Sequence, residues 1–126
     1  MSTAPGLQIS LVTLNSPDPP ALARFYARLL GWEIGSEDPE WADLRNPDGG
    51  IGMGFHIESI YERPVWPAKP GAQQMMAHLD IKVEDLQAAC AHAEACGATL
   101  ADFQSADNLR VYLDPDGHPF CLFADG

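Results

Sequence analysis

The tripeptide Pro47-Asp48-Gly49 returns 68 residues later as Pro115-Asp116-Gly117. At the same offset Met53 falls on Cys121 and Phe55 on Phe123. Asp18 corresponds to Asp85 at an offset of 67, and Gly31 to Gly97 at 66. That drift marks single-residue insertions between two copies of one plan, and self-similarity of this kind constrains a fold more than composition does. The chain has 126 residues, 46% of them apolar, enough for one compact domain with a real core.

Each copy reads as β-α-β-β-β. In the first, the β-forming run 7–14 predicts a strand. Asp18 offers a helix N-cap and Pro19 suits the first helical position. Leu22, Phe25, Tyr26, Leu29 and Leu30 make one apolar face at helical spacing, and Gly31 ends it. Short strands are expected over 32–36, 41–45 and 51–57, with Asn46-Pro47-Asp48-Gly49-Gly50 as a tight reversal. In the second copy a strand is expected over 75–83. Asp85 caps a helix with the stripe Leu86, Ala89, Cys90 and Ala93, and Gly97 closes it. Strands follow at 99–103, 109–113 and 119–123. The expected organisation is one domain over 1–126, with modules 7–57 and 75–123 joined by a proline-rich linker, 58–74. The three prolines Pro64, Pro67 and Pro70 exclude a regular element there. Trp66 in this linker is an exposed loop residue, a lid or a plug on the core, and the plug is favoured.

The formal net charge of −11 repels a phosphate backbone, so nucleic acid is not expected as a partner. No apolar run approaches the roughly 20 residues of a membrane helix, and no secretion signal is expected from the first residues. A cytoplasmic location and no membrane association are expected. Three cysteines without CxxC or zinc-ribbon spacing argue against a disulfide framework and a structural zinc site.

Along 77–83, Leu79, Ile81 and Val83 alternate with His78, Asp80 and Lys82, so one face of the strand is apolar and the other polar. The segments Phe25-Tyr26 with Leu30-Gly31, His78-Leu79-Asp80 through Asp85, and Asp114-Pro115-Asp116-Gly117 through Leu122 resemble the vicinal oxygen chelate superfamily. Its members include glyoxalase I, ring-cleaving dioxygenases and bleomycin-binding resistance proteins. The linker, the 78–80 strand and the ending 117–123 are similar to its glyoxalase-like bacterial subgroup. The resemblance covers residues 7–123. It implies an α+β fold of two tandem βαβββ modules forming a curled eight-stranded mixed sheet around a central cup.

Metal-dependent members of that superfamily place four ligands in the cup. By the motifs these positions fall on Leu11, Met53, His78 and Cys121. Leu11 and His78 lie seven residues before Asp18 and Asp85, and Met53 and Cys121 lie four after each Pro-Asp-Gly glycine. Cys121 stands where the metal enzymes carry glutamate. Leu11 cannot ligate, and Ser10, presented by a bulge, helps little. Met53 suits a hard divalent ion poorly. Met53, His78 and Cys121 form a soft set that would suit copper(I), a disfavoured alternative. No metal or other cofactor is therefore expected, and glyoxalase I and extradiol dioxygenase activity are disfavoured, because enediolate chemistry loses its electrophile.

His78 is either a general base or a pocket-lining side chain bonded to Asp80 or a ligand, the latter being favoured. Cys121 is either a nucleophile or, as favoured, a small buried hydrophobe. His118 is expected in a structural or rim position, His56 at the end of its strand, and His92 exposed. Trp32, Trp41, Phe55, Tyr112 and Phe123 line the cup or belong to the core. The expected function is metal-independent binding of a small, partly aromatic organic molecule, with Leu11, Met53, Phe55, His78, Asp80 and Cys121 as ligand-binding residues. One alternative is a glyoxalase-like lyase, isomerase or dioxygenase using His78; another is a dimerisation or partner-binding module. A homodimer is expected.

Overall fold

The computed structural model describes residues 5–104 and 106–124. Among them the element order is β1 (Leu11–Ser16), α1 (Pro19–Leu30), β2 (Glu33–Asp38), β3 (Trp41–Arg45), β4 (Gly52–Ile57), β5 (Leu79–Lys82), α2 (Leu86–Cys96), β6 (Thr99–Leu100), β7 (Leu109–Leu113) and β8 (Pro119–Phe123). The chain separates after Glu58 into two compact units. The described strands form two four-stranded sheets, ordered β1-β4-β3-β2 and β5-β8-β7-β6. In each, the first and last strands of the unit run parallel and the remaining pairs antiparallel. This is the α+β, twice-repeated βαβββ plan read from the sequence.

Helix ends are set by the expected side chains. Asp18 accepts the Ala21 N–H at 3.3 Å and Asp85 accepts the Ala88 N–H at 3.1 Å, each satisfying a donor that helical geometry leaves unpaired. Gly31 and Gly97 close the helices at φ 70° and 111°, a region costly for any residue with a Cβ. Helix α1 buries Leu22, Phe25 and Tyr26 against the first sheet. The Tyr26 ring stacks on Phe55 at 5.8 Å and meets Phe25 edge-on at 4.9 Å. Aromatic pairs of this kind contribute about 0.5–1.5 kcal/mol beyond their buried area. In the second unit Tyr112 stacks on Phe120 at 6.1 Å and donates its hydroxyl to Glu94 of α2 at 2.6 Å.

Several strand limits differ from expectation for local reasons. Strand β1 begins at Leu11, because its parallel partner begins opposite at Gly52, and Leu7 and Ile9 lie exposed. Trp32 is spent on the end of α1, donating its N–H to Ala27, so β2 starts one residue later. Met76 adopts φ 64°, which interrupts an extended run, and β5 starts at Leu79. Strand β6 stops at Leu100 because a side chain takes over its pairing. The Gln104 amide donates to Ala101 and Val111 carbonyls at 2.8 and 3.1 Å and accepts the Val111 N–H at 2.9 Å. Val111 is buried, so Gln104→Ala leaves an orphaned donor and should lower the unfolding free energy by about 1–3 kcal/mol in denaturant titrations.

The proline-rich stretch holds no helix or strand, as its prolines require. It is not a free linker, however, but is clamped to the second unit. Tyr61 donates its hydroxyl to the Asp116 carbonyl at 2.8 Å, and Arg63 donates to the Pro115 carbonyl at 2.8 Å. Both hold the second copy of the repeated turn. Burial, then the Asp114 and Asp116 charges, push the Tyr61 phenol up, so it remains a donor.

Candidate functional site

Helix packing fixes which side of each sheet is left open. In the second unit Tyr112 and Phe120 face α2, so the alternating residues Val111 and Cys121 face the other way. Asp80 is the register partner of Cys121 across the parallel β5–β8 pair and shares that open face. His78, two residues before Asp80, returns to it.

The three side chains converge. His78 Nδ1 lies 3.1 Å from Asp80 Oδ1. One ligating atom from each of His78, Asp80 and Cys121 falls within 4.8 Å of the others. The two polar side chains are open to solvent, at 37% and 56% exposure, whereas Cys121 is buried at 7%. Burial, then the nearby Asp80 charge and its hydrogen bond to the thiol, push Cys121 up to about 11. The raised value favours the protonated thiol at neutral pH.

The raised thiol gives a pH prediction. Between the ordinary value near 9 and about 11 the folded chain binds this proton more tightly than the unfolded one. Stability from this site is therefore complete below pH 9 and is lost as pH rises through 11. Alkylation of Cys121 by iodoacetamide, followed by peptide mass mapping, should keep accelerating up to about pH 11; a plateau by pH 9 would contradict the buried-thiol assignment.

An aromatic wall stands beside the trio. Trp66 packs against the buried cluster of Ala101, Val111 and Cys121, together with Leu109 and Leu113. It meets half-exposed Phe103 edge-on at 6.3 Å. Trp66 is thus a plug on the core, and its plug covers the floor next to Cys121. The sequence offered no signal for this contact, which depends on the fold of an irregular segment.

The first unit shows what became of the other expected positions. Leu11 is 39% exposed at the start of β1. Met53 is paired with Val12 and buried Leu44, and lies two residues from Phe55, whose ring stacks on α1. Met53 and Phe55 therefore face the helix, away from the open face of their sheet. The residue that matches Cys121 is Gly54: it sits opposite Thr13 as Cys121 sits opposite Asp80, both pairs at an offset of 67. Gly54 is required there, since a Cβ would approach Trp41 Cη2 at 2.5 Å and Thr13 Oγ1 at 2.8 Å. Trp41 is held over it by an Nε1–H bond to Asp43 at 2.9 Å. Desolvation opposes ionisation of Asp43, but bonds from Trp41 and Ser36 outweigh it and bring the carboxyl below its usual range.

The other histidines lie elsewhere. His118 is a turn residue, its Nδ1 at 2.8 Å from buried Asp114 and its Nε2 3.3 Å from the Tyr61 hydroxyl. His56 is exposed on β4 beside Trp41, and His92 is exposed on α2 with Nε2 3.7 Å from Cys96 Sγ.

Residues 11–123 match the family model of the glyoxalase-like domain. The chain belongs to the glyoxalase-like family. That family lies within the vicinal oxygen chelate superfamily. Similar proteins include the uncharacterized YaeR of Escherichia coli strain K12, 25% identical, with 92% of this chain and 95% of the relative covered. A glyoxalase/bleomycin resistance protein/dioxygenase family enzyme from Burkholderia phytofirmans matches at 21% identity and TM-score 0.69, covering 94% and 98% of the two chains. A glyoxalase family protein from Enterococcus faecalis matches at 25% identity and TM-score 0.66, covering 92% and 96%. His78, Asp80 and Cys121 offer nitrogen, oxygen and sulfur donors that could hold a metal ion, which would take the place of the His78–Asp80 bond and the thiol proton. Among the described residues no helix is long and apolar enough to cross a membrane.

Proposed function

We propose that this glyoxalase-like protein binds a small, partly aromatic organic molecule, without a metal, on the open face of its second sheet. The observation that supports this is the adjacency of two unlike features around Cys121. One is the solvent-open His78–Asp80 pair; the other is the Trp66–Phe103 aromatic wall. An apolar wall with a few convergent polar groups is the usual chemistry of a small-molecule site. Cys121, neutral and buried between them, supplies floor rather than reactivity.

A thermal-shift screen with bleomycin, other aromatic antibiotics and aromatic metabolites tests the reading, followed by titration of each hit. His78→Ala should weaken binding of a hit about tenfold, roughly one charge-assisted or neutral hydrogen bond. It should leave the melting temperature of the free protein nearly unchanged, since His78 is an exposed residue. Unfolding of that variant would make His78 a structural bonder instead.

A second reading, a glyoxalase-like lyase, isomerase or dioxygenase using His78, is favoured by the close grouping of His78, Asp80 and Cys121. It requires stoichiometric metal in purified protein, or turnover of methylglyoxal–glutathione adducts or catechols. A module that works mainly as a homodimer would show instead a melting temperature that depends on protein concentration.

A further inference from the structure

We propose that the molecule bound is an aryl-alkyl cation, its ammonium or amidinium group held by Asp80 and His78 and its ring against Trp66 and Phe103. This rests on the binding reading above and adds the polarity of the ligand.

The polarity follows from counting protons. A carboxylate only accepts, so the His78 nitrogen at 3.1 Å from Asp80 must donate, and the Nδ1 proton is claimed. In the neutral ring, Nε2 then carries the lone pair and is the atom left for a ligand. The Cys121 Sγ lies within 4.8 Å of the ligating atoms of both His78 and Asp80. Asp80 has about four acceptor sites, of which the His78 bond uses one. The His78–Asp80 pair therefore offers a ligand acceptors, and one of them carries a full negative charge at 56% exposure. A donor-rich cation completes this arrangement; an anion would place like charges together.

Lys82 is the positive charge on this strand face. It lies two residues past Asp80, roughly 6–7 Å along the strand, and so opposes a cation at Asp80 less than Asp80 attracts it. The net charge of −11 raises the local concentration of cations further. The aromatic half follows from Trp66, packed on the cluster that includes Cys121, and from Phe103, which meets the Trp66 ring edge-on.

Three probes of one size separate charge from ring: 2-phenylethylamine, 2-phenylethanol and phenylacetate. Each is titrated into the full chain at millimolar concentration and low salt, with amide and indole NMR shifts as the readout. The amine should bind about tenfold tighter than phenylacetate, with shifts at His78, Asp80 and the Trp66 indole, and added salt should narrow the gap. Asp80→Asn should bring the amine to within about twofold of the alcohol. Imidazole nitrogen shifts should report an Nδ1–H ring in the parent and lose that bias in the variant. Equal binding of all three probes at this face, or a preference for phenylacetate, overturns the cation inference and leaves the binding reading standing. Shifts at none of these residues with any probe overturn both.

Discussion

Asp114→Ala is expected to lower the unfolding free energy by about 3–5 kcal/mol, the range for removing a buried carboxylate that several donors depend on. Asp114 is 1% exposed. Its Oδ1 accepts the Asp116 and His118 backbone N–H groups, each at 2.9 Å, and its Oδ2 lies 2.8 Å from His118 Nδ1. Truncation strands these donors in a buried turn, where each unpaired donor costs about 1–3 kcal/mol. The damage should spread to the connecting segment, since Tyr61 and Arg63 hold carbonyls of the same turn. Urea titration followed by tryptophan emission measures the loss. Asn46→Ala, the matching change in the first copy, should cost less. Asn46 makes one backbone acceptance at 2.9 Å and one donation to Ile51 at 3.1 Å, both exposed. Equal losses at the two sites would show that the His118 bond and the clamp add nothing.

Gly54→Val should destabilise by about 3 kcal/mol, near the upper end for overpacking. The added Cβ alone meets the Trp41 ring at 2.5 Å, closer than any real packing contact. Moving the ring breaks its bond to Asp43, and Asp43 also accepts from Ser36 N at 3.1 Å and Ser36 Oγ at 2.8 Å. The loss should therefore appear in the first unit as faster hydrogen exchange at Ser36 and Asp43. Pairing with Trp41→Ala in a double-mutant cycle isolates the clash: the second change should recover much of what the first removed. Additive losses would mean that the crowding lies elsewhere.

Local chemistry was legible in the sequence wherever it was carried by one residue acting on its neighbours. Asp18, Asp85, Gly31 and Gly97 mark helix ends because their effects need only the adjoining backbone. The repeated Pro-Asp-Gly turns mark the duplication for the same reason. The alternation around Asp80 also identified the polar face of β5. What failed was register. A strand shifted by one residue exchanges its faces, and the offset of 68 that aligns the turns sent Met53 to the position that Gly54 holds. The extra residue lies between turn and strand, where Gly49 and Gly50 stand against a single Gly117, and glycine carries no side-chain pattern to reveal it. The long-range contacts were equally out of reach. Trp66 on Cys121 and Gln104 on Val111 join irregular segments to strands, and nothing periodic announces either.

The clamp formed by Tyr61 and Arg63 makes the duplication unequal. In the first copy the turn's hydrogen bonds among the described residues stay within residues 46–51. In the second it also anchors the connector, and Arg63 lies so close over Gly117 that a Cβ there would meet it at 2.5 Å. The two copies share an ancestor's layout but no longer its freedoms: a sequence change harmless in the earlier turn strikes, in the later one, the joint by which the chain's middle is tied down.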